Sequence, residues 1–279
     1  MFTSKKIITK LKNLLYVLIN EFIVRQKGIT YVRLFNLRSI LINSPSRVNC
    51  KKEKYLFIDK KIKGITRFCR QERQASMSYH KGFADRANTI AECYMLKKIK
   101  FNNGDRILDC GANVGDLKLW FELNHKEIEY IGFEPGPIEY ENLCKNVIPS
   151  KTFNIGLWNK DSQLTFYISS QNADSSIIAP AKYDKKITIP SRKLSNYINS
   201  NIKLLKLEAE GAEPEILEGV LDKLNLIEYI TADVGYERGI RQESTIVPVI
   251  NTLLSNNFEM IDIYNKHRVC VLLKNKSYS

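Results

Sequence analysis

The sequence predicts an α/β protein: a mostly parallel sheet with right-handed helical crossovers, an inserted β-hairpin and a helical N-terminal extension. Three observations carry that prediction. From Asp105 onward, short apolar runs alternate with stretches of helical periodicity, the pattern of strands joined by crossover helices. The first of these runs ends in a glycine turn, Asp109-Cys110-Gly111-Ala112-Asn113-Val114-Gly115, that opens a helix. The basic residues, finally, gather ahead of that region and not within it.

The front of the chain is its basic part. Residues 1–70 hold 17 Lys and Arg against 3 acids, 17 − 3 = +14, whereas the rest holds 26 against 27, 26 − 27 = −1. In residues 1–40 the apolar positions Ile7, Ile8, Leu11, Leu14, Leu15, Leu18 and Phe22 recur at helical spacing, with Lys6, Lys10 and Lys12 mostly off that line. Such a helix either lies on an anionic membrane surface or packs on its own domain or a dimer partner. Its apolar core is interrupted by Glu21 and Arg25, which makes it too short to span a membrane, and no cleavage-site pattern follows it. Residues 41–58, with Asn43-Ser44-Pro45-Ser46 and a lysine-rich run, read as a linker. Residues 1–80 are therefore expected to form a basic, helix-rich extension and 81–279 the main domain. A helix is expected over Ala84–Lys98.

In the main domain, strands are expected at Arg106–Cys110, Glu129–Phe133, Thr152–Ile155, Ile202–Leu207 and Ile227–Val234. A closing pair follows near 258–263 and 268–273. Helices are expected after the glycine turn through Trp120 and Phe121, and from Pro137 to about Val147. Leu164–Ser169 and Lys186–Pro190 alternate in the manner of an inserted hairpin. A hydrophobic share of 44% fits a folded domain. The six cysteines show no CxxC spacing, and with only His80, His125 and His267 beside them no zinc pattern appears. Reduced thiols and a cytoplasmic location fit best, with peripheral contact at the inner membrane surface if the basic front binds lipid.

The turn is read through its charge. Glycine allows a sharp bend and a close approach of backbone to ligand, beyond the carboxyl ends of the strands. A dinucleotide pyrophosphate suits GxGxxG without an adjacent carboxylate, but here the spacing is GxxxG and Asp109 stands two residues before the first glycine. An acid there suits the cationic amino group of S-adenosylmethionine better than NAD. Glu134, 25 residues after Asp109 at the end of the next strand, can accept hydrogen bonds from both hydroxyls of a ribose.

Three segments in order resemble the FkbM-type methyltransferase family: Ile107-Leu108-Asp109-Cys110-Gly111-Ala112-Asn113-Val114-Gly115-Asp116, Gly132-Phe133-Glu134-Pro135, and Leu205-Lys206-Leu207-Glu208-Ala209-Glu210-Gly211-Ala212-Glu213. The resemblance covers about residues 105–265. It implies a Rossmann-like class I methyltransferase sheet of seven strands, the last antiparallel, and S-adenosylmethionine-dependent methylation of hydroxyls, often on sugars or secondary metabolites. It also implies that Asp109, Gly111, Asn113 and Gly115 line the methionine end of the donor, with Glu134 at the ribose and Asn154, Ile155 or Gly156 bordering the adenine. Two positions depart from the family pattern: Glu208 stands where Asp is common, and Leu194-Ser195 where a Leu-Asp pair is frequent.

Methyl transfer to a hydroxyl needs an oxygen held in line with the methyl carbon and a base for its proton. Glu208 and Glu210, two apart at the end of a strand, are expected to point the same way, so Glu208 is the first candidate base, with Glu210 and Lys206 in support. Glu213 and Glu210 equally suit the start of the next helix. His80 is a second candidate base, placed where related enzymes carry a lid, while His125 and His267 read as surface residues. Ser175 and Ser176, with Gln171, Asn172 and Asp174, form a polar cluster in the insertion that suits a polyol, and Tyr236 follows the fifth strand at its carboxyl end. Glu208 with Asp233 is the one weak divalent-cation pairing; no metal constellation is expected. The alternatives to the methyltransferase are an NAD-linked oxidoreductase and a catalytically silent membrane-surface assembly factor. Nucleic acid is not an expected partner, since the basic residues avoid the catalytic body and no base-stacking motif appears.

Overall fold

The computed structural model describes residues 2–51, 54–169 and 175–278 of the chain, with side chains from Lys10 onward. It divides into two compact units, Met1–Arg86 and Ala87–Ser279.

The first unit holds helices α1 (Phe2–Ile23) and α2 (Gly28–Leu41), strands β1 (Ser46–Lys51), β2 (Lys54–Asp59) and β3 (Ile62–Cys69), and the short helix α3 (Glu72–Ser78). The expected linker at 41–58 is thus mostly strand. The three strands form an antiparallel sheet, because Val48, Tyr55, Phe57 and Cys69 turn one apolar face inward while the lysines fall on the other positions. That alternation is a one-sided strand pattern. Tyr31, Phe35, Phe57, Tyr79 and Phe83 stack edge-on or tilted beneath it. The unit is therefore a mixed helix-and-sheet body, not simply a helical extension.

Helix α4 (Phe83–Cys93) spans the boundary between the units. It is shorter than the expected 84–98, since Met95 takes a left-handed backbone (φ 54°) and a single 3-10 turn, Leu96–Lys98, follows. The second unit continues with β4 (Arg106–Cys110), α5 (Asp116–Leu123), β5 (Glu129–Phe133), α6 (Pro137–Asn146), β6 (Lys151–Phe153), β7 (Gly156–Leu157), β8 (Ser162–Ile168), β9 (Lys185–Arg192) and β10 (Ile202–Leu207). After these come α7 (Glu213–Glu218), β11 (Ile227–Asp233), β12 (Tyr236–Arg238), β13 (Glu243–Ser244), α8 (Ile246–Ser255), β14 (Phe258–Asn265) and β15 (Val269–Asn275).

Seven of these strands make one sheet in the order β14-β15-β11-β10-β4-β5-β6. The five strands from β11 to β6 run parallel, and β15 is antiparallel to both β11 and β14. This is the expected Rossmann-like class I methyltransferase sheet, with its last strand reversed. The central strands are apolar at nearly every position because helices cover both faces. Leu108, Ile131, Leu205, Leu207 and Ile230 sit in one core with Ile216, Leu217, Val249 and Leu253. The insertion is the expected antiparallel hairpin, β8 with β9 from Ser162↔Ser191 to Ile168↔Lys185, joined on one side by β7. The parallel register brings the carboxyl ends of β4, β5 and β10 level, which places Cys110 beside both Phe133 and Leu207.

Candidate active site

The loops that follow those strand ends form the site. Beyond Cys110, the amides of Gly111 and Ala112 both donate to the Phe133 carbonyl, and the Glu208 amide donates to Cys110 O at 3.1 Å. Gly111 has φ +72°, and a Cβ there would lie 1.7 Å from the Glu208 carbonyl oxygen. At Gly115 (φ +85°) a Cβ would meet Val147 Cγ1 at 2.4 Å and Leu143 Cδ1 at 3.0 Å. Close approach is indeed what demands both glycines, but the groups that approach are protein: the neighbouring strand end and helix α6. Asn113 also has positive φ, 49°, which an Asn tolerates better than most residues.

Glu134 receives the turn. Its Oε2 accepts the Asn113 amide at 2.8 Å and its Oε1 the Gly136 amide at 2.7 Å. Each carboxylate oxygen has two acceptor sites, so one on each remains for a hydroxyl donor. Burial, with Glu139 close by, pushes the Glu134 carboxyl up to about 8, against the pull of the two amides. A ligand offering two hydroxyls would restore the ionised form. The donor set therefore fits a ribose at Glu134. Asn154 donates its side-chain amide to the carbonyls of Glu134 and Pro135, at 2.8 and 3.1 Å, which ties the end of β6 to this loop. Ile155 packs against the core, and Gly156 is buried where a Cβ would meet Ile177 and Ile189.

Asp109 does not fit the part expected of it. It is 1% exposed, its Oδ2 accepts the Tyr130 hydroxyl at 2.6 Å, and its Oδ1 lies 3.0 Å from Lys206 Nζ. A carboxylate already neutralised in this way is not open to the amino group of a ligand. Lys206 is likewise no substrate contact: its side chain is 4% exposed, and Nζ donates to the Gly111 carbonyl at 2.8 Å and to Cys110 O at 3.3 Å. It also pairs with Glu208 at 2.9 Å. Lys206 thus holds the turn from below its carbonyls, and Asp109 supplies the charge that keeps the lysine there.

Glu208 and Glu210 do not share a face. The strand stops at Leu207, and Glu210 lies in left-handed backbone, φ 52°, so the pleat that carries Lys206 and Glu208 to one side does not extend to it. Glu208 is partly open, with its side chain 18% exposed, and it pairs with Lys206 on one oxygen and Arg268 on the other. Arg268, in the loop between β14 and β15, also reaches Asp233 Oδ2 at 3.1 Å. Burial raises Asp233 to about 6, opposed by the Gly235 amide. Asp109, Lys206, Glu208, Arg268 and Asp233 form a continuous chain of alternating charge across the ends of β4, β10 and β11. Sequence reasoning missed Arg268 and Tyr130, and nothing local marked either. Glu213 is buried and accepts the amides of Ala209 (2.7 Å) and Gly211 (3.3 Å) and the Thr245 hydroxyl. It therefore closes the turn after Glu208 as well as starting α7.

In the insertion, Ser175 and Ser176 serve the fold. The Ser169 amide donates to Ser175 Oγ, while the Ser176 hydroxyl donates to Glu210 O at 2.9 Å and accepts from the Ile178 amide. Ser176 is 3% exposed, so it tethers the insertion to the Glu210 turn and offers nothing to a polyol. Gln171, Asn172 and Asp174 lie outside the described residues. Tyr236 follows β11 and is 71% exposed. His80 belongs to the first unit and bonds Met77 O through Nδ1 at 3.0 Å. His125 and His267 are exposed.

Comparison with known proteins gives one family. The model described as the methyltransferase FkbM domain matches residues 109–260. Among curated proteins, the chain is 22% identical over 211 residues to methyltransferase sdnD of Sordaria araneosa, covering 61% of this chain and 78% of the relative. It is 31% identical over 75 residues to the 31-O-demethyl-FK506 methyltransferase FkbM of Streptomyces tacrolimicus, covering 27% and 26%. A crystal structure of methyltransferase FkbM from Methylobacillus flagellatus KT is similar at 14% identity and TM-score 0.48 over 66% of this chain, which spans about half, 47%, of that protein.

Proposed function

The chain belongs to the FkbM methyltransferase domain family, S-adenosylmethionine-dependent enzymes, and from that premise we propose that it methylates a hydroxyl of a sugar, a glycan or glycolipid precursor, or a secondary metabolite. The family match sets aside the NAD-linked oxidoreductase. One observation carries the choice of oxygen: the strand-end acid nearest the turn that keeps exposure to solvent is Glu208, 18% exposed where Asp109 is 1%. A hydroxyl, unlike an amine, needs its proton removed as it attacks. One relative, by its name, acts on a 31-O-demethyl substrate, which supports the same reading.

When bound, S-adenosylmethionine supplies an electrophilic methyl group on a sulfonium. Glu134 would hold the ribose hydroxyls, the 111–115 turn would hold the methionine end through its backbone, and Asn154, Ile155 or Gly156 would border the adenine. The acceptor oxygen must stand about 3 Å from the methyl carbon, opposite the sulfur. Glu208 would take the proton that the attacking hydroxyl gives up. To receive it Glu208 must loosen one ion pair, and Arg268, its side chain 40% exposed against 4% for Lys206, is the partner able to move. Tyr236, 71% exposed just beyond the end of β11, would contact the acceptor from this rim.

Six free cysteines, four of them buried, support a cytoplasmic location, because reduced thiols suit a reducing compartment. No helix of the described residues is long and apolar enough to cross a membrane.

Labelled methyl donor with the wild type, Glu134→Ala and Glu208→Gln tests the reading. Donor binding retained in Glu134→Ala removes the ribose assignment, and full turnover in Glu208→Gln removes the base. Host glycans should lose one CH₂ per modified sugar when the protein is absent. Surface polysaccharide and glycolipid of unchanged mass would remove that substrate class.

A further inference from the structure

We propose that the first unit carries a docking surface for an anionic lipid bilayer, formed by the outward face of α1 and the cations around it. The helix has two distinct apolar faces. Ile19 and Ile23 are buried, and Arg38 fixes that inward side by donating to Asn20 Oδ1 at 2.9 Å and to Ser76 O at 2.8 Å. The other face needs a different explanation. Leu11, Leu14, Leu15, Leu18 and Phe22 are 60%, 59%, 41%, 54% and 57% exposed, and their spacing of 3, 1, 3 and 4 puts them in one stripe along about 16 Å of helix.

A stripe of large side chains left in water marks a contact surface. Charge decides the occupant. Lys10 and Lys12 on α1, Arg25 and Lys27 in the link that follows it and Arg33 on α2 are exposed, with Glu21 the exposed acid on α1. A second copy of this chain would set one group of cations against another, which costs free energy and slows encounter. A nucleic acid would satisfy the cations and leave the leucines in water. A bilayer rich in anionic headgroups satisfies both, with the leucines and phenylalanine in the acyl boundary and the cations at the headgroups. The helix lies in the interface; it does not span.

The test uses the full chain and vesicles of phosphatidylcholine, with and without phosphatidylglycerol, in a co-sedimentation assay. Wild type is expected in the pellet with the anionic vesicles and in the supernatant with the neutral ones, with binding lost near 1 M salt, where screening acts within about 3 Å. Leu14→Glu/Leu18→Glu and Lys10→Glu/Lys12→Glu should each cut binding by about tenfold. All four positions are solvent-exposed, and circular dichroism checks that the helix persists. Should the glutamates melt it, Leu14→Ser/Leu18→Ser takes their place with the same expected direction. Equal sedimentation of wild type and the leucine variant overturns the proposal, as does equal binding to neutral vesicles. So does a wild-type dimer that the leucine variant makes monomeric without any vesicle binding, since the face then belongs to a second copy.

Discussion

Lys206 stands opposite Asp109 in the register of β10 against β4, and its ammonium lies 3.0 Å from the Asp109 carboxylate with neither side chain more than 4% exposed. The sheet itself fixes this pair, because directly opposed residues of neighbouring parallel strands cannot avoid one another. Its consequence reaches the turn, since the same ammonium donates to the Gly111 carbonyl and lies 5.4 Å from the Tyr94 ring centre. Breaking one side of a buried pair leaves an uncompensated charge, whereas removing both does not. Lys206→Met should therefore lower unfolding stability by about 3 kcal/mol or more. Asp109→Asn/Lys206→Met should recover part of that loss, and urea denaturation of this double variant and of the single variants Lys206→Met and Asp109→Asn measures the coupling.

The glycines offer a control within the same protein. Gly104 and Gly111 both have positive φ, +84° and +72°, but a Cβ at Gly104 meets nothing within 4 Å while one at Gly111 lies 1.7 Å from a backbone oxygen. Gly104→Ala should cost only the conformational term, about 1 kcal/mol. Gly111→Ala must also force β4 and β10 apart at the Glu208 carbonyl, and should cost several times as much while abolishing donor binding. Thermal melts of the two variants compare the terms directly; equal losses would mean the strand ends move freely.

Glu134 gives the pH dependence. With its carboxyl raised from 4.5 to about 8, the folded protein keeps a proton that the unfolded chain has lost between those values. The unfolded state binds fewer protons there, so stability falls as pH rises through that window. Donor binding runs the other way: ribose hydroxyls favour the ionised form, and affinity for S-adenosylhomocysteine should climb toward pH 8 and level off above it. Glu134→Gln should flatten both curves. Calorimetry and urea melts at about pH 5 and pH 8 are enough to see it.

What the sequence made legible was what depends on apolar runs and strand ends. Leu108, Ile131 and Leu205 sit in strands covered on both faces, so β4, β5 and β10 read as uninterrupted apolar segments, and Glu134 could be placed because it ends one of them. The β1–β2 strands were misread as linker because their lysines occupy the solvent side and outweigh Val48, Tyr55 and Phe57 in any count of composition. Asp109 was read as the first residue of the turn, but it belongs to β4 and its partner depends on register: Lys206 is 97 positions away and becomes its neighbour only once β10 lies beside β4. Arg268 was invisible for a similar reason, as an arginine in a hairpin loop looks solvated until the loop folds over Glu208. The Glu210 prediction failed on strand length, because the pleat ends at Leu207, three residues short of Glu210.

Glu213 tests whether the turn after Glu208 is held from the buried side. Its carboxyl is 1% exposed, and burial raises it above the ordinary carboxylate value despite the amides of Ala209 and Gly211 and the Thr245 hydroxyl that favour its charge. Glu213→Ala leaves those donors buried without an acceptor, at about 1–3 kcal/mol each, and frees Glu210 from its left-handed backbone. Glu213→Gln keeps one acceptor oxygen and should lose less. Both variants leave Glu134 and the 111–115 turn untouched, so donor binding should survive in the glutamine variant while methyl transfer falls, because Glu208 loses its fixed position. Hydrogen exchange at the Ala209 and Gly211 amides reads the effect directly: faster exchange in Glu213→Gln than in wild type is expected, and unchanged protection in Glu213→Ala would show that the ion pairs of Glu208 hold the turn unaided.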